Sequence, residues 1–465
     1  NFNHLHWTQA MCYAYFYSMQ NDLNEIDVQL TYFHIDSEEI KNFVKTFNLN
    51  ELKIFFNDLL DKYNVWAHFT REWILKRNQS IKKLDFPFPS YREGQRNFAV
   101  AVYKTITANK KLFVQAPTGT GKTISTLFPS IKAMGMGYAE KIFYLTAKTI
   151  TRQVAEESII LMCDKGLELK HITLTAKDKI CFTEEKICSP EHCRYAKGHF
   201  DRVNDAIMDV LKNKNQLTRS VIEEYSKKHK VCPFEFALDL AIWSDIVVCD
   251  YNYAFDPQVY LKRFFDENDK DYIFLIDEAH NLVDRGREMF SAQLFKSPFL
   301  HLKKIMKDKN IKVSNALGKI NNFMIEERKK SLENNYYIEK KEPIEFYPLL
   351  RKFISESEDW LAKNEKMEGH GELLQLYFDA MAFLRIAELY DESFITYVEN
   401  NYKDTTIKLY CVDPSTLLRK AFMRAKAAIL FSATLMPIKY FQEILGGIEE
   451  DYKLQLPSPF DKENL

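Results

Sequence analysis

KLFVQAPTGTGKTIST, residues 111–126, runs from a short apolar stretch through a loop of threonines and glycines into Lys122, Thr123 and a helix-forming segment. Each part has a physical reason. The apolar start suits a buried strand. Gly119 and Gly121 let backbone N–H groups turn inward around phosphate oxygens. A helix starting at Lys122 points its positive end at the same phosphates. Thr118, Gly119, Thr120, Gly121, Lys122 and Thr123 are therefore the expected cradle for ATP. Lys122 is expected to reach the β- and γ-phosphates, and the Thr123 hydroxyl to ligate Mg²⁺.

Outward from this loop the chain alternates between short apolar strands and helical stretches. KLFVQA, KIFYLTA, ITLTA, DIVVCD, YIFLIDEAH and, far downstream, AAILFSAT read as buried strands. Such alternation predicts an α/β fold, a parallel doubly wound sheet with ligands at the carboxyl ends of its strands. The chain has 465 residues, 46% hydrophobic and 28% charged, with a formal net charge of −1. That balance suits large cores and leaves any nucleic-acid surface to a local patch. No apolar run reaches membrane-spanning length, so no membrane partner is expected. Eight cysteines in 465 residues do not make a secreted disulfide framework, and a reducing, cytoplasmic location is expected. The chain starts at Asn1 rather than Met, and a fragment of a longer protein is expected.

FLIDEAH ends a strand with Asp277 and Glu278. Asp277 is placed to hold Mg²⁺ through water, and Glu278 to polarise an attacking water. Lys122, Asp277 and Glu278 are thus the expected catalytic residues.

CFTEEKICSPEHC, residues 181–193, gathers three cysteines, and Cys232 follows before Pro233. Cys181, Cys188 and Cys193 lie among charges and a proline, not in apolar runs as Cys249 does. Four thiolates suit tetrahedral zinc or an iron–sulfur cluster. Their chemistry leaves both open.

The order of motifs carries a resemblance. The loop, YLTAKT, DEAH and Ser432-Ala433-Thr434 follow one another as in superfamily 2 helicases, whose loops share Ala116 in place of the first glycine. YREGQ, with Gln95, resembles their adenine-reading glutamine. The four cysteines lie between YLTAKT and DEAH, where the XPD/DinG family carries a [4Fe–4S] domain. DIVVCDYNYAFDP resembles that family's segment after the fourth cysteine. The long stretch between DEAH and SAT resembles its Arch domain, and LQLPSPF, with Ser458-Pro459-Phe460, the stretch after its SAT. The resemblance covers residues 86–465.

It implies an ATP-dependent DNA helicase moving 5′ to 3′ on single strands, acting in DNA repair or replication on single-stranded or forked DNA. It implies Cys181, Cys188, Cys193 and Cys232 as ligands of a [4Fe–4S] cluster. His280, Ser432, Ala433 and Thr434 would couple nucleotide to strand movement. No obligate protein partner is inferred. The implied layout is a RecA-like domain at 86–177, 237–290 and 421–465. An iron–sulfur insertion fills 178–236 and a helical Arch insertion 291–420. The second RecA-like domain is expected to be missing, so this chain alone is expected to be inactive. An ATP-switched DNA clamp without unwinding is the alternative.

Two basic stretches, 212–230 and 301–341, are candidate tracks for a phosphate backbone. The second holds eleven Lys/Arg against five Asp/Glu. Residues 1–85 read as a separate module: a helix, a strand at DVQLTYFHID, a long amphipathic helix, then the proline-marked linker LDFPFPSY. Gln9 and Tyr13 fall one helical turn apart. That spacing resembles the late motif of RecB-type PD-(D/E)XK nucleases, which implies a truncated nuclease remnant and, as a further alternative, a helicase-nuclease fusion. His4 and His6 read as local packing.

Overall fold

The computed structural model describes residues 3–34, 37–147, 149–184, 188–266, 271–330, 335–365, 367–401 and 404–457. Contacts divide the chain into two units, Asn1–Gln79 and Ser80–Leu465.

In the first unit Asn3 accepts a hydrogen bond from the Leu5 N–H and so caps a helix over His4–Gln20. Strands β1 (Glu25–Phe33) and β2 (Ile40–Asn48) pair antiparallel. Their register sets Ile26, Val28 and Leu30 opposite Phe47, Lys45 and Phe43 on one face. Trp7 and Ala14 of the helix pack on Val28 and Phe47 of that face, with Leu52 beside them. A helix over Leu49–Lys83 follows. The sequence reading has the helix, one strand and the long helix. It lacks β2, because IKNFVKTFN is exposed at all but one position and so shows no clear alternation.

In the second unit the strands are, in chain order, β3 (Lys111–Gln115), β4 (Lys141–Leu145), β5 (His171–Thr173), β6 (Gln216–Leu217), β7 (Ile246–Cys249), β8 (Tyr272–Asp277), β9 (Ala292–Phe295), β10 (Tyr336–Glu339), β11 (Phe394–Asn400), β12 (Thr405–Cys411), β13 (Ala427–Ser432) and β14 (Tyr452–Gln455). Eight of them form one sheet in the order β14-β3-β13-β8-β4-β7-β5-β6, and every pairing in it is parallel. All six strands predicted for this unit are in it.

A parallel sheet needs both faces covered, and both are. Val114, Ile142, Tyr144, Ile273, Leu275 and Ile429 pack in a core with Phe98, Val102, Leu127, Ile131, Ala155 and Ile159 of the flanking helices. On the alternate positions Phe143 and Phe274 meet Phe265, and Phe274 also meets Phe255. Every residue of β4 and of β8 is buried.

Two lysines finish this packing. The buried Lys141 ammonium donates to the carbonyls of Ala241, Ile242 and Ser244 at the end of the helix Pro233–Trp243. The Lys170 ammonium does the same for Leu211 and Lys214 near the end of His199–Asn213. A cation at a helix carboxyl end satisfies orphan carbonyls and the helix dipole.

Two segments interrupt the sheet. Residues 178–236 form helices at His199–Asn213 and Arg219–His229, and β6 ties the segment to the sheet edge beside β5. Residues 291–420 carry helices at Lys296–Met306, Ile311–Lys330, Phe346–Lys363 and His370–Ala387. They also carry an antiparallel sheet, β10-β11-β12-β9, where the sequence reading expects helices alone. Its signal is the alternation in FITYVEN, where alternate side chains are buried. Among the described residues no helix is long and apolar enough to cross a membrane.

Candidate active site

Gly119 and Gly121 have φ of 84° and 70°, so the loop turns as only glycine does freely. A Cβ on Gly121 would sit 2.4 Å from the Gln95 amide nitrogen. Gln95 is buried, and its amide oxygen accepts from the Arg92 N–H at 2.9 Å. The Arg92 guanidinium donates to the Gly119 carbonyl. Thr120 is buried and donates to the Pro117 carbonyl at 2.8 Å, while Thr118 and Gly119 are exposed. Lys122 and Thr123 open the helix Lys122–Gly135. This cradle fits a nucleotide's phosphates: bare glycine backbone, a helix start and a lysine face the same space.

Strand pairing brings the other motifs to the loop. Phe431 of β13 lies opposite Asp277 of β8, and Ser432 opposite Gln115 of β3. The sheet thus carries DEAH and SAT to one edge beside the loop. Asp277 is buried, with its carboxylate fixed at both oxygens. Oδ2 accepts from the Tyr144 hydroxyl at 2.8 Å, and Oδ1 from the Glu278 N–H at 2.9 Å. Burial pushes the Asp277 carboxyl up to about 6, against the Tyr144 hydrogen bond and the nearby Lys122 charge. Burial also holds the Tyr144 hydroxyl well above its ordinary value. Oxygens from Thr123 and Asp277 make a hard donor set, which suits Mg²⁺.

Glu278 adopts φ 50°, an uncommon left-handed conformation for a residue with a side chain. The buried Tyr251 hydroxyl holds this turn by donating to the Asp277 and Glu278 carbonyls. Glu278 Oε2 accepts from the Ser432 hydroxyl at 3.0 Å and lies 3.4 Å from His280 Nδ1. His280 Nδ1 is 2.7 Å from Ser432 Oγ, and the Thr434 N–H donates to that same oxygen at 3.2 Å. The Ala433 carbonyl accepts from the Gln115 amide at 3.2 Å. Glu278, His280, Ser432 and Thr434 therefore form one hydrogen-bonded group.

The sequence reading missed Arg92, Tyr144 and Tyr251. Tyr144 lies within KIFYLTA, where a hydroxyl in the middle of a buried strand was the available signal: it must find a partner.

The cysteines are only partly gathered. The Lys177 ammonium hydrogen-bonds Cys188, and that bond, helped by Cys181 and Cys232 nearby, holds its pKa above the ordinary value. Cys232 precedes the helix Pro233–Trp243. Burial raises its thiol, while the Glu235 and Phe234 N–H groups act the other way. Cys193 is buried. Among the described residues no three His, Cys, Asp or Glu side chains form a metal-holding group. By their chemistry four thiols are soft, sulfur-only donors, which suit a cluster or zinc better than a hard ion.

At the carboxyl ends of β4 and β7 a cavity of about 710 Å³ is lined by Arg152, Lys177, Lys179, Lys262, Arg263 and Arg285, among others. Asp250 accepts from Arg152 at 3.1 Å and from Arg285 at 3.2 Å. The two basic stretches are less free than their composition suggests. Lys228 pairs with Asp209, Arg219 with Glu223, Lys309 with Glu368, Lys329 with Glu326 and Lys330 with Glu327. Gln9 and Tyr13 share a face of the first helix at 3.4 Å, both exposed, and His6 lies 2.9 Å from the Tyr32 hydroxyl. Ser458-Pro459-Phe460 lie outside the described residues.

A phosphate loop, paired carboxylates and a parallel sheet define the class: a RecA-like P-loop nucleotide-binding domain of the helicase type. The comparisons with known proteins narrow this. Residues 146–298 match the DEAD_2 family model. The chain is 26% identical over 243 residues to the general transcription and DNA repair factor IIH helicase subunit XPD/RAD3 of Saccharomyces cerevisiae, covering 45% of this chain and 31% of that protein. It is 26% identical over 215 residues to the ATP-dependent DNA helicase XPD of Sulfolobus acidocaldarius, covering 44% and 35%. A solved XPD helicase shares the fold at a TM-score of 0.52 and 19% identity, over 79% of this chain and 62% of that one. A truncated XPD does so at 0.50 and 20%, over 77% and 99%. In sequence and in fold the chain is thus similar to helicases of the XPD kind. The chain spans about a third of the length of these two curated relatives.

Proposed function

We propose that this chain is the ATP-binding part of an ATP-dependent DNA helicase of the XPD kind, which moves 5′ to 3′ along single strands in DNA repair or replication. The observation that carries the reading is the hydrogen-bonded group Glu278–Ser432–His280–Thr434 beside the phosphate loop. It ties the carboxylate that would polarise water to the segment that would answer to DNA. The two relatives are named as helicases, one of them an ATP-dependent DNA helicase.

In this reading Thr118–Thr123 hold the phosphates of ATP, with Lys122 against the β- and γ-phosphates. Gln95 reads the adenine edge. Thr123 and Asp277 hold Mg²⁺, and Glu278 orients the attacking water. Arg152, Lys179, Lys262, Arg263 and Arg285 line the strand-end cavity, where a phosphate backbone would find cations. Residues 178–236 are an iron–sulfur insertion, and residues 291–420 an Arch-like one. Cys181, Cys188, Cys193 and Cys232 would hold a [4Fe–4S] cluster. When bound, that cluster supplies a structural cross-link between the segments that carry the four cysteines. The protein would act in the cytoplasm.

The test is ATP hydrolysis and strand separation by the whole protein on a forked duplex with a 5′ single-stranded tail. Unwinding that requires ATP and the 5′ tail is the expected result. ATP-dependent DNA binding without strand separation would favour a switched clamp and overturn the helicase reading.

A further inference from the structure

The Tyr144 hydroxyl does not merely end in the core. It lies against the carboxylate read above as holding Mg²⁺. It donates to Asp277 Oδ2 at 2.8 Å. The ring is fully buried, held from the side by Phe431, whose ring centroid is 6.3 Å away. β4 pairs with β8 along its whole length, with Tyr144 opposite Leu275, so the ring's base cannot shift without moving the strand that carries Asp277. Two separate elements are thus joined through one hydroxyl: β4 through Tyr144, and the end of β8 through Asp277.

We infer that Tyr144 is a positioning residue for the metal: it sets the orientation of the Asp277 carboxylate, so that Mg²⁺ with its water meets a prepared acceptor. The physical need is clear. Asp277 is buried, and a lone carboxylate there would turn toward whatever donor it could find. With Oδ1 held by the Glu278 N–H and Oδ2 by Tyr144, its rotamer is fixed before the ion arrives. Mg²⁺ demands near-ideal geometry and gives up water reluctantly, so a misplaced donor weakens it sharply. Partners that orient metal ligands typically contribute 10–100-fold to metal affinity.

This inference rests on the nucleotide-site reading, and its test separates the two. The probe is a fluorescent ATP analogue titrated onto this chain, first in EDTA, then at fixed nucleotide with rising Mg²⁺. Wild type, Tyr144→Phe and Tyr347→Phe are compared. Phenylalanine keeps the ring and removes only the hydroxyl. In Tyr144→Phe the Mg²⁺ midpoint should rise by about 10-fold or more, with affinity in EDTA within about twofold of wild type. Tyr347→Phe removes a buried hydroxyl on the helix Phe346–Lys363, outside the loop and the Asp277–Glu278 turn, and its Mg²⁺ midpoint should stay within about twofold. An unshifted midpoint in Tyr144→Phe overturns the inference while leaving the nucleotide site standing. Equal shifts in both variants, or loss of metal-free binding in Tyr144→Phe, make the hydroxyl a general core support and overturn it too. Wild type that binds no nucleotide at all instead overturns the site reading beneath it.

Discussion

At the scale of single residues, the site is a set of side chains held by neighbours whose only task is to hold them. Glu278 shows this best. Its backbone sits at φ 50°, kept there by Tyr251, and its carboxylate is shared between Ser432 and His280. Glu278→Gln keeps the shape and removes the charge that polarises water. Hydrolysis by the whole protein should fall by about 10²–10⁴-fold, with ATP binding retained. Phosphate release and equilibrium binding, measured on one preparation, check this. A loss of binding equal to the loss of rate would deny Glu278 its role in the chemistry. Ser432→Ala removes the shared hydroxyl, and DNA-stimulated hydrolysis should fall more than the basal rate does. A matching fall in both would remove Ser432 from the coupling path.

These residues were readable in the sequence to different degrees. Lys122 was legible because a strand, a glycine loop and a lysine follow one another within sixteen residues, and Asp277 and Glu278 because FLIDEAH ends an apolar strand on a pair of carboxylates. Tyr144 and Tyr251 were not. Nothing in KIFYL or DYNYAF says which carboxylate or carbonyl a hydroxyl will meet, since that depends on strand order in the sheet. The order β13-β8-β4 is a long-range fact that no local window contains.

At the scale of elements, β5 offers a sharp test of how the sheet is built. His171 is fully buried, and neither ring nitrogen has a hydrogen-bond partner. Burial lowers its pKa from 6.5 to about 4. The unfolded chain therefore binds a proton between these values while the folded chain does not. Stability rises with pH through this window and is lost as pH falls from about 6.5 toward about 4. At pH 5 the loss is on the order of 2 kcal/mol relative to neutral pH. His171→Leu should remove most of that acid sensitivity, read as the urea midpoint at pH 7.5 and at about pH 5. An unchanged difference between the two pH values would count against the buried, neutral imidazole.

The cysteine insertion belongs to the same scale. The thiols of Cys181, Cys188 and Cys232 act on one ammonium, although 51 residues separate the first from the last. Cys188→Ser should leave anaerobically purified protein with little iron and acid-labile sulfide, because serine is a poor ligand for a soft centre. ATP binding should persist, since the phosphate loop is built on other elements. Stoichiometric zinc and no iron in the wild type would replace the cluster reading with a zinc one. The sequence reading expects these cysteines to form a group apart from the core, yet Cys193 is buried. The sequence did not show the antiparallel sheet β10-β11-β12-β9, since its edge strand β10 spans only Tyr336–Glu339 and is largely exposed. Short, half-exposed strands carry little periodic signal.

At the scale of the whole molecule, the eight-stranded parallel sheet exists to bring distant segments to one edge. Residues 116–123, 277–280 and 432–434 meet there only because β3, β13 and β8 are neighbours. The same edge opens on the arginine- and lysine-lined cavity, so nucleotide and nucleic acid would share one rim of one sheet. A shared rim is what coupling requires, and a single hydrogen bond joins Glu278 to Ser432 on it. The central claim is that this rim holds Mg²⁺·ATP through the loop at residues 118–123. The measurement that tests it most directly is calorimetric titration of ATP with Mg²⁺ into this chain and into its Lys122→Ala variant. The wild type should bind one ATP. The variant should bind at least about tenfold more weakly while keeping the same unfolding temperature, because an ammonium facing the phosphates contributes a charge-assisted bond that alanine cannot supply. Equal affinities in the two proteins, or no binding by the wild type, would contradict it.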